Sequence, residues 1–247
     1  MGKIIAVANQ KGGVGKTTTA ITLSTCLAMA DKSVLLVDAD TQRNAASGIA
    51  GIIDNTPRTA EEFPHPIYEL IQFTTLGTLR IITLENIVTH TGVASGYTLN
   101  KIKEFFNVFS QHFDYIIFDC PPSVTQPTIL ALSLATDVII PMQCEYFAME
   151  GLSQILNTIK VVQKQQNIAR IDYRILLTMY DASNPLTEEI RNEVKSHFKN
   201  ELYSSMIHRD NLFPESSSHA LPIVTYAPFS RGSWNYINFT KEVLSNG

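Results

Sequence analysis

The feature that most constrains this chain is a glycine-rich segment at residues 10–18, which reads QKGGVGKTT. It follows a short apolar run, Ile4–Ala8, and precedes a stretch with helical spacing, Thr17–Ala30. Glycines between a strand and a helix let successive backbone N–H groups curl around an anion, and the helix adds its positive N-terminus. The segment is therefore predicted to be a phosphate-binding loop. In such a loop Lys16 reaches the terminal phosphates and the Thr17 hydroxyl binds Mg²⁺.

Apolar runs alternate with helical stretches along the chain, and this pattern predicts an α/β fold with a mostly parallel sheet and helices on both faces. One P-loop domain is expected to span residues 1–247. The predicted strands are Ile4–Ala8, Val34–Val37, Leu79–Leu84, Tyr115–Phe118, Val138–Pro141 and Ile175–Met179. The predicted helices are Thr17–Ala30, Thr98–His112, Gln126–Ala135, Ala148–Gln166, Thr187–Lys199 and Asn235–Leu244. Asp54–Pro66 and Asp210–Pro222 are interpreted as irregular surface stretches.

The amino-acid composition is that of a globular protein. The 247 residues are 45% hydrophobic and 17% charged, as in globular proteins, and a net charge of −4 gives no whole-chain argument for nucleic acid. Cys26, Cys120 and Cys144 are widely separated, which suits a reducing cytoplasm. No apolar run has the roughly 18 residues of a membrane-spanning helix. We expect a cytoplasmic protein that does not use a membrane, and Cys120 and Cys144 are expected to be small core residues.

Acidic residues stand where predicted strands end. Asp38 and Asp40 close the second apolar run, and Asp119 closes Tyr115–Phe118. Sites in parallel sheets lie at the carboxyl ends of the strands, so these acids should meet the phosphate loop. Carboxylates there can hold Mg²⁺ through its water shell. Each acid is also open to a simpler interpretation as a capping or surface residue, and this applies most to Asp38.

The loop departs from the ordinary P-loop, which has glycine at the position of Gln10. Lys11 with Gly12 and Gly13 makes it the deviant Walker A form instead. Further characteristic stretches are Ala8–Thr19, Leu36–Gln42, Asp114–Ser123, Gln143–Leu152, Leu176–Asp181 and Pro222–Tyr236. Through them the chain resembles the ParA/Soj branch of the deviant Walker A ATPases (the ParA/MinD superfamily) along nearly its whole length.

The resemblance implies ATP and Mg²⁺ as cofactors, with residues 11–18 (Lys11, Gly12, Gly13, Val14, Gly15, Lys16, Thr17 and Thr18) around the phosphates and Met179, His208 and Arg209 also binding nucleotide. It implies catalytic roles for Lys11, Lys16 and Asp40, and metal binding by Thr17, Asp38 and Asp119. Lys11 would cross the interface of an ATP-dependent homodimer to the partner's nucleotide, and Asp40 would orient the attacking water. The resemblance further implies weak ATP hydrolysis stimulated by a ParB-like or other adaptor, nonspecific DNA binding and association with the nucleoid.

The chain also departs from the family pattern. Arg43 occupies a position where the family usually has glycine, and either contacts phosphate or is simply exposed. Ser183 and Leu212 replace two arginines through which the family holds DNA, His208 replaces a proline, and Leu221 replaces a later lysine. A substitute DNA surface is available if Arg191, Lys195 and Lys199 share one face of the predicted Thr187–Lys199 helix; the same residues also suit a solvated face.

Other functions on this fold remain open. A MinD-like membrane switch would need a basic amphipathic tail, and the last seven residues contain one basic residue, Lys241. A reductase related to nitrogenase iron protein would need paired cluster-binding cysteines. A metabolic ATP-dependent ligase is opposed by Lys11 only in part, and a GTPase would need an Asn-Lys-x-Asp motif that the chain lacks.

Overall fold

The computed structural model describes residues 2–56, 70–90 and 99–245. Within these ranges nine strands form one sheet in the order β3-β4-β5-β2-β6-β1-β7-β8-β9. The strands are β1 (Lys3–Val7), β2 (Val34–Asp38), β3 (Ile53–Asp54), β4 (Gln72–Thr74), β5 (Leu79–Thr83), β6 (Tyr115–Asp119), β7 (Asp137–Gln143), β8 (Asp172–Tyr180) and β9 (Leu202–His208).

The sheet is mostly parallel, as the sequence predicts. The seven strands from β5 to β9 in the sheet order pair in parallel, and the edge strands β3 and β4 add antiparallel pairs. All six predicted strands are confirmed, because each is an apolar run buried on both faces. Three strands were missed. β3 and β4 have two and three residues, and β9 contains the polar pair Ser204 and Ser205 at the opposite edge.

Ten helices connect or flank the described strands, and their bounds correct several predictions. They are α1 (Lys16–Met29), α2 (Asn44–Gly48), α3 (Leu84–His90), α4 (Leu99–Phe109), α5 (Gln126–Leu134), α6 (Ala148–Gln166), α7 (Pro185–His197), α8 (Leu212–Ser218), α9 (Ile223–Tyr226) and α10 (Arg231–Ser245). The stretch Asp210–Pro222 was wrongly predicted to be irregular, since it contains α8. Residues 57–66 of the other predicted irregular stretch lie outside the described residues, as does Thr98.

Helix α7 begins and ends differently from its prediction, and the difference bears on the candidate DNA surface. The Asn184 side chain accepts a hydrogen bond from the Leu186 backbone N–H, and Pro185 occupies the first turn, so the helix begins before Thr187. It ends at His197. Lys199 therefore lies beyond the helix, and the predicted three-residue stripe on one helical face is wrong at its last member.

The core lies on both faces of the sheet. One cluster packs α4, α5 and α6 against the sheet and is rich in phenylalanine; Phe106 and Phe118 are fully buried with ring centroids 4.9 Å apart. The other cluster packs α1 and α10, where the Thr19 and Tyr236 hydroxyls are 2.9 Å apart. Tyr236 is fully buried, whereas half of the Trp234 surface (51%) is exposed.

The described chain has no helix of the length and apolarity needed to cross a bilayer. The three cysteines are free and buried, as expected for small core residues. Burial raises the pKa of Cys26 and of Cys144 to about 11 each.

Phe106→Ala should lower the free energy of unfolding by about 3–5 kcal/mol, because it removes a fully buried ring from the α4–β6 contact. Urea denaturation followed by circular dichroism measures this change. The matched control is Phe229→Ala, since Phe229 is 89% exposed and should alter the unfolding free energy by less than about 0.5 kcal/mol. Equal losses in the two variants would contradict the packing described here.

Candidate functional site

The glycine-rich loop lies between β1 and α1 at the carboxyl edge of the sheet. Gly13 and Gly15 have φ values of 76° and 89°, a left-handed backbone conformation that residues other than glycine rarely adopt. The Thr178 hydroxyl donates to the Val14 carbonyl at 2.8 Å and so ties the loop to β8. Asn9 fixes the entry to the loop, because its side-chain amide donates to the Pro141 carbonyl at 2.7 Å. The loop is thus held in shape by neighbouring strands.

Lys16, the first residue of α1, is almost fully buried with 7% of its surface exposed. Its ammonium group donates to the Lys11 carbonyl within the loop at 2.9 Å. Burial lowers the pKa of Lys16, and the nearby Asp119 opposes that change. A cation is therefore held inside the loop where an anionic ligand would neutralise it.

Asp119, at the end of β6, has the most unusual environment in the described chain. Its surface is fully buried, and neither carboxylate oxygen makes a hydrogen bond of regular geometry with the described residues. Burial raises the pKa of Asp119 to about 7; the proximity of the Thr17 hydroxyl and of Lys16 lowers it in part, and Asp38 raises it further. A buried carboxylate without partners is a strong candidate to receive a cation.

Asp38 is the last residue of β2, the strand beside β6, and Asp40 lies in the loop that follows it. Asp38 pairs in register with Asp119, and its two oxygens accept from the Asp40 and Ala46 backbone N–H groups at 3.1 and 2.9 Å. Burial raises the pKa of Asp38, and these hydrogen bonds lower it in part. Asp40 is half-buried and accepts from the Gln42 N–H at 3.0 Å. Asp38 thus holds the loop after β2 in place, whereas Asp40 keeps one oxygen available.

The Asp119 carboxylate and the Thr17 hydroxyl fit a hydrated Mg²⁺ ion. A fully buried and unpartnered carboxylate stands beside the Thr17 hydroxyl, and hard oxygen donors of this kind are those that Mg²⁺ prefers. Thr17 and Asp119 would hold such an ion, with Asp38 behind them. The predicted metal residues are thus brought together at one edge of the sheet.

Lys11 is held within its own chain. Its ammonium group forms an ion pair with Glu145 at 2.7 Å, and the two side chains are 33% and 47% exposed. Glu145 follows β7 and precedes two exposed aromatic residues, Tyr146 and Phe147, whose rings meet edge to face at 5.0 Å. Glu145 is not predictable from sequence, because a partner 134 residues away leaves no local signal.

A cavity of about 280 Å³ opens beside the loop. It brings together the three residues predicted to complete the nucleotide site, Met179, His208 and Arg209, with Gly15 and Thr18 of the loop. Met179 has a φ of 49°, a strained conformation of the kind that clusters at ligand sites. Other lining residues come from the turn after β9 and from α8, and they were not predicted because this stretch carries no regular sequence pattern. They include Asp210, Asn211, Phe213 and Pro214.

His208 is positioned by hydrogen bonds. Its backbone N–H and its ring Nδ1 both lie 3.0 Å from the Asn235 side-chain oxygen, and burial lowers the pKa of the ring. Tyr180 packs edge to face against it at 5.3 Å. The geometry favours a packing role for His208 at the cavity wall.

The residues that replace the family's DNA-binding arginines have local partners. The Ser183 hydroxyl donates to Asp181 at 2.6 Å, and Leu212 packs against the core cluster of α1 and α10. Of the substitute residues, Arg191 is paired with Glu188 at 2.8 Å, while Lys195 and Lys199 are exposed. The structure therefore does not bring the three together as one unpaired stripe.

Comparisons with known proteins agree with this geometry. The AAA domain family matches residues 2–173. The chain is 41% identical to the sporulation initiation inhibitor protein Soj of Bacillus subtilis over the full length of both, and 38% identical to the chromosome partitioning protein ParA of Myxococcus xanthus, covering 99% of this chain and 88% of that one. A solved structure of cobyrinic acid a,c-diamide synthase from Mycobacterium smegmatis, with a bound ATP analogue and magnesium, superimposes with a TM-score of 0.75 at 27% identity, covering 99% of this chain and 94% of that chain.

The matched family covers most of the chain, and the relatives match it from end to end. The chain therefore belongs to the ParA/Soj-type partitioning ATPases of the ParA/MinD superfamily.

Proposed function

We propose that this protein is an ATP-dependent dimerising ATPase that partitions or positions DNA, or another cargo, by binding nonspecific DNA in its ATP-bound dimer. The observation that carries the proposal is the buried, unpartnered Asp119 carboxylate next to Lys16 and Thr17 in a preformed phosphate loop. It supports a site for Mg²⁺ and a nucleoside triphosphate, ATP in this family. The membership in the ParA/Soj family supports the partitioning role.

The residues have distinct parts in hydrolysis. Lys16 and the loop N–H groups bind the β- and γ-phosphates, and Thr17 and Asp119 hold Mg²⁺. When bound, Mg²⁺ neutralises charge that develops on the phosphate oxygens. Asp40, with one oxygen already engaged by Gln42, orients a water molecule towards the γ-phosphate with the other. Positioning of this kind accounts for most of phosphoryl-transfer catalysis.

Dimerisation depends on Lys11. In the structure this lysine is paired with the exposed carboxylate of Glu145. To contact the nucleotide of a facing subunit, Lys11 must break this ion pair. Exposed ion pairs contribute little free energy, and several phosphate charges outweigh one carboxylate. ATP would thus favour the dimer, and its hydrolysis, stimulated by a ParB-like or other adaptor, would release it.

We propose that the dimer binds nonspecific DNA and thereby associates with the nucleoid. Lys195 and Lys199 are exposed on each chain. In the dimer, the lysines of both subunits can contact the phosphates of one DNA duplex, so the affinity for DNA is higher than that of a monomer. DNA binding therefore depends on ATP, because ATP favours the dimer. Arg191 is a weaker contributor because Glu188 neutralises it in part. The replacement of two family arginines by Ser183 and Leu212 implies weaker DNA binding than in relatives that keep them.

A metabolic ATP-dependent enzyme is the second candidate, favoured by the structural likeness to cobyrinic acid a,c-diamide synthase. The identity to that enzyme is 27%, against 41% to Soj over the full length of both chains. A DNA-independent, monomeric ATPase would favour this alternative.

Lys11→Ala should bind ATP yet remain a monomer, because two facing triphosphates would then lack the crossing charge. Multi-angle light scattering in the presence of ATP and Mg²⁺ measures the mass directly. The matched control is Lys3→Ala, which removes another ion-paired lysine, 3.2 Å from Asp137 at the opposite end of β1, and should dimerise as the wild type does. An ATP-dependent dimer of Lys11→Ala would contradict the crossing role.

The triple variant Arg191→Ala/Lys195→Ala/Lys199→Ala should weaken ATP-dependent DNA binding at least about tenfold and reduce its salt dependence, because fewer phosphates are neutralised. Gel shifts with a nonspecific duplex at rising salt measure both effects. A control variant, Lys160→Ala/Lys164→Ala/Lys241→Ala, removes the same charge from exposed positions on α6 and α10 and should bind DNA as the wild type does.

The two possible failures of this experiment mean different things. If the triple variant binds as tightly as the wild type, α7 is only a solvated face and the DNA surface lies elsewhere. If the wild type binds no DNA with ATP, the nucleoid-based role is wrong.

A further inference from the structure

Arg43 adopts a backbone conformation that its side chain disfavours. Its φ and ψ are 53° and 38°, in the left-handed region, immediately before α2. Among side chains, those of Asn and Asp tolerate this region best, and an arginine there is strained. Strain of this kind persists only where surrounding contacts maintain it, and it clusters at functional sites.

The conformation of Arg43 sets the shape of the loop that carries Asp40. The Arg43 backbone N–H donates to the Asp40 carbonyl at 2.9 Å, and the Gln42 N–H donates to the Asp40 carboxylate at 3.0 Å. On the other side, the Arg43 carbonyl accepts from the Ser47 N–H at 3.0 Å. A change in the backbone conformation of Arg43 would therefore shift Asp40, because the two residues belong to the same turn.

The Arg43 side chain has a partner in a different segment. The Arg43 guanidinium forms an ion pair with Glu85 at 2.9 Å, and this contact raises the pKa of Arg43. Glu85 lies in the first turn of α3, just after β5, and β5 pairs in register with β2 so that Thr83 is opposite Asp38. The carboxylate is thus anchored to the sheet. Between the two side chains and Asp40 lies a cavity of about 170 Å³ with mostly apolar walls, including Leu84 and Pro127.

We propose that the Arg43–Glu85 ion pair is a clasp that positions Asp40 for hydrolysis, which makes both members positioning residues. The clasp holds Arg43 in its left-handed conformation and keeps the turn from Asp40 to Arg43 in place. It also keeps the guanidinium on Glu85 rather than on Asp38, the other carboxylate that acts on it. The inference rests on the water-orienting role proposed for Asp40.

The clasp predicts a pattern that a merely structural ion pair would not give. Without Glu85, Arg43 loses the support for its conformation and its guanidinium is free to pair with Asp40. Glycine at position 43 adopts the left-handed conformation without strain and has no guanidinium that could pair with Asp40. A chain with glycine at this position therefore does not need Glu85 to keep Asp40 in place. The effect of removing Glu85 should therefore depend on whether Arg43 is present.

Steady-state ATP hydrolysis by the full chain tests this with Glu85→Gln, Arg43→Gly, the double variant and Asp40→Ala. Glu85→Gln should lower kcat about two- to fivefold with KM unchanged, in keeping with the strength of exposed ion pairs. Arg43→Gly and the double variant should retain the wild-type kcat. Raising the salt concentration should lower kcat of the wild type but not of Arg43→Gly, because salt screens the exposed pair. The control Asp172→Asn, which breaks the exposed pair with Arg170 at the far end of β8, should leave kcat unchanged.

The outcomes separate the clasp from the proposed function. If Asp40→Ala is inactive while Glu85→Gln hydrolyses ATP as the wild type does, the clasp is wrong and the role of Asp40 stands. If Glu85→Gln lowers kcat equally with Arg43 or glycine at position 43, Glu85 does not act through Arg43 and the clasp is again wrong. If Asp40→Ala retains the wild-type rate, both proposals fail.

Discussion

A fully buried carboxylate is costly unless hydrogen bonds or a cation compensate its charge, and among the described residues Asp119 makes no hydrogen bond of regular geometry. Only Lys16 offers a full positive charge nearby among the groups that shift its pKa, and that lysine is itself buried and directed into the phosphate loop. A buried acid and a buried base thus lie close together at the phosphate loop. Mg²⁺ and a nucleoside triphosphate would neutralise both charges there.

The order of the strands makes this arrangement possible. β6 lies between β1, which leads into the phosphate loop, and β2, which ends in Asp38. Parallel pairing brings their carboxyl ends to one edge, so residues far apart in sequence meet there. The next strand outward, β5, brings Glu85 to the same edge. The residues proposed for hydrolysis and the segment proposed to position Asp40 therefore lie along one row of strand ends.

The central part of the fold was predictable because its strands are uninterrupted apolar runs. β2 and β6 are buried at every residue, and the acids that follow mark the edge where the site forms. The edges were not predictable to the same degree, since β4 is short and β9 includes serines. The pairs Lys11–Glu145 and Arg43–Glu85 were not predictable either, because their members are 134 and 42 residues apart and no local pattern joins them.

The most direct test of this account is a calorimetric titration of ATP with Mg²⁺ into the wild type, Lys16→Ala and the exposed-lysine control Lys164→Ala. Loss of the charged hydrogen bonds from Lys16 should weaken ATP binding about tenfold to hundredfold. Lys164→Ala should bind as the wild type does. Unchanged affinity in Lys16→Ala would contradict the assignment of the loop and of the buried site beside it.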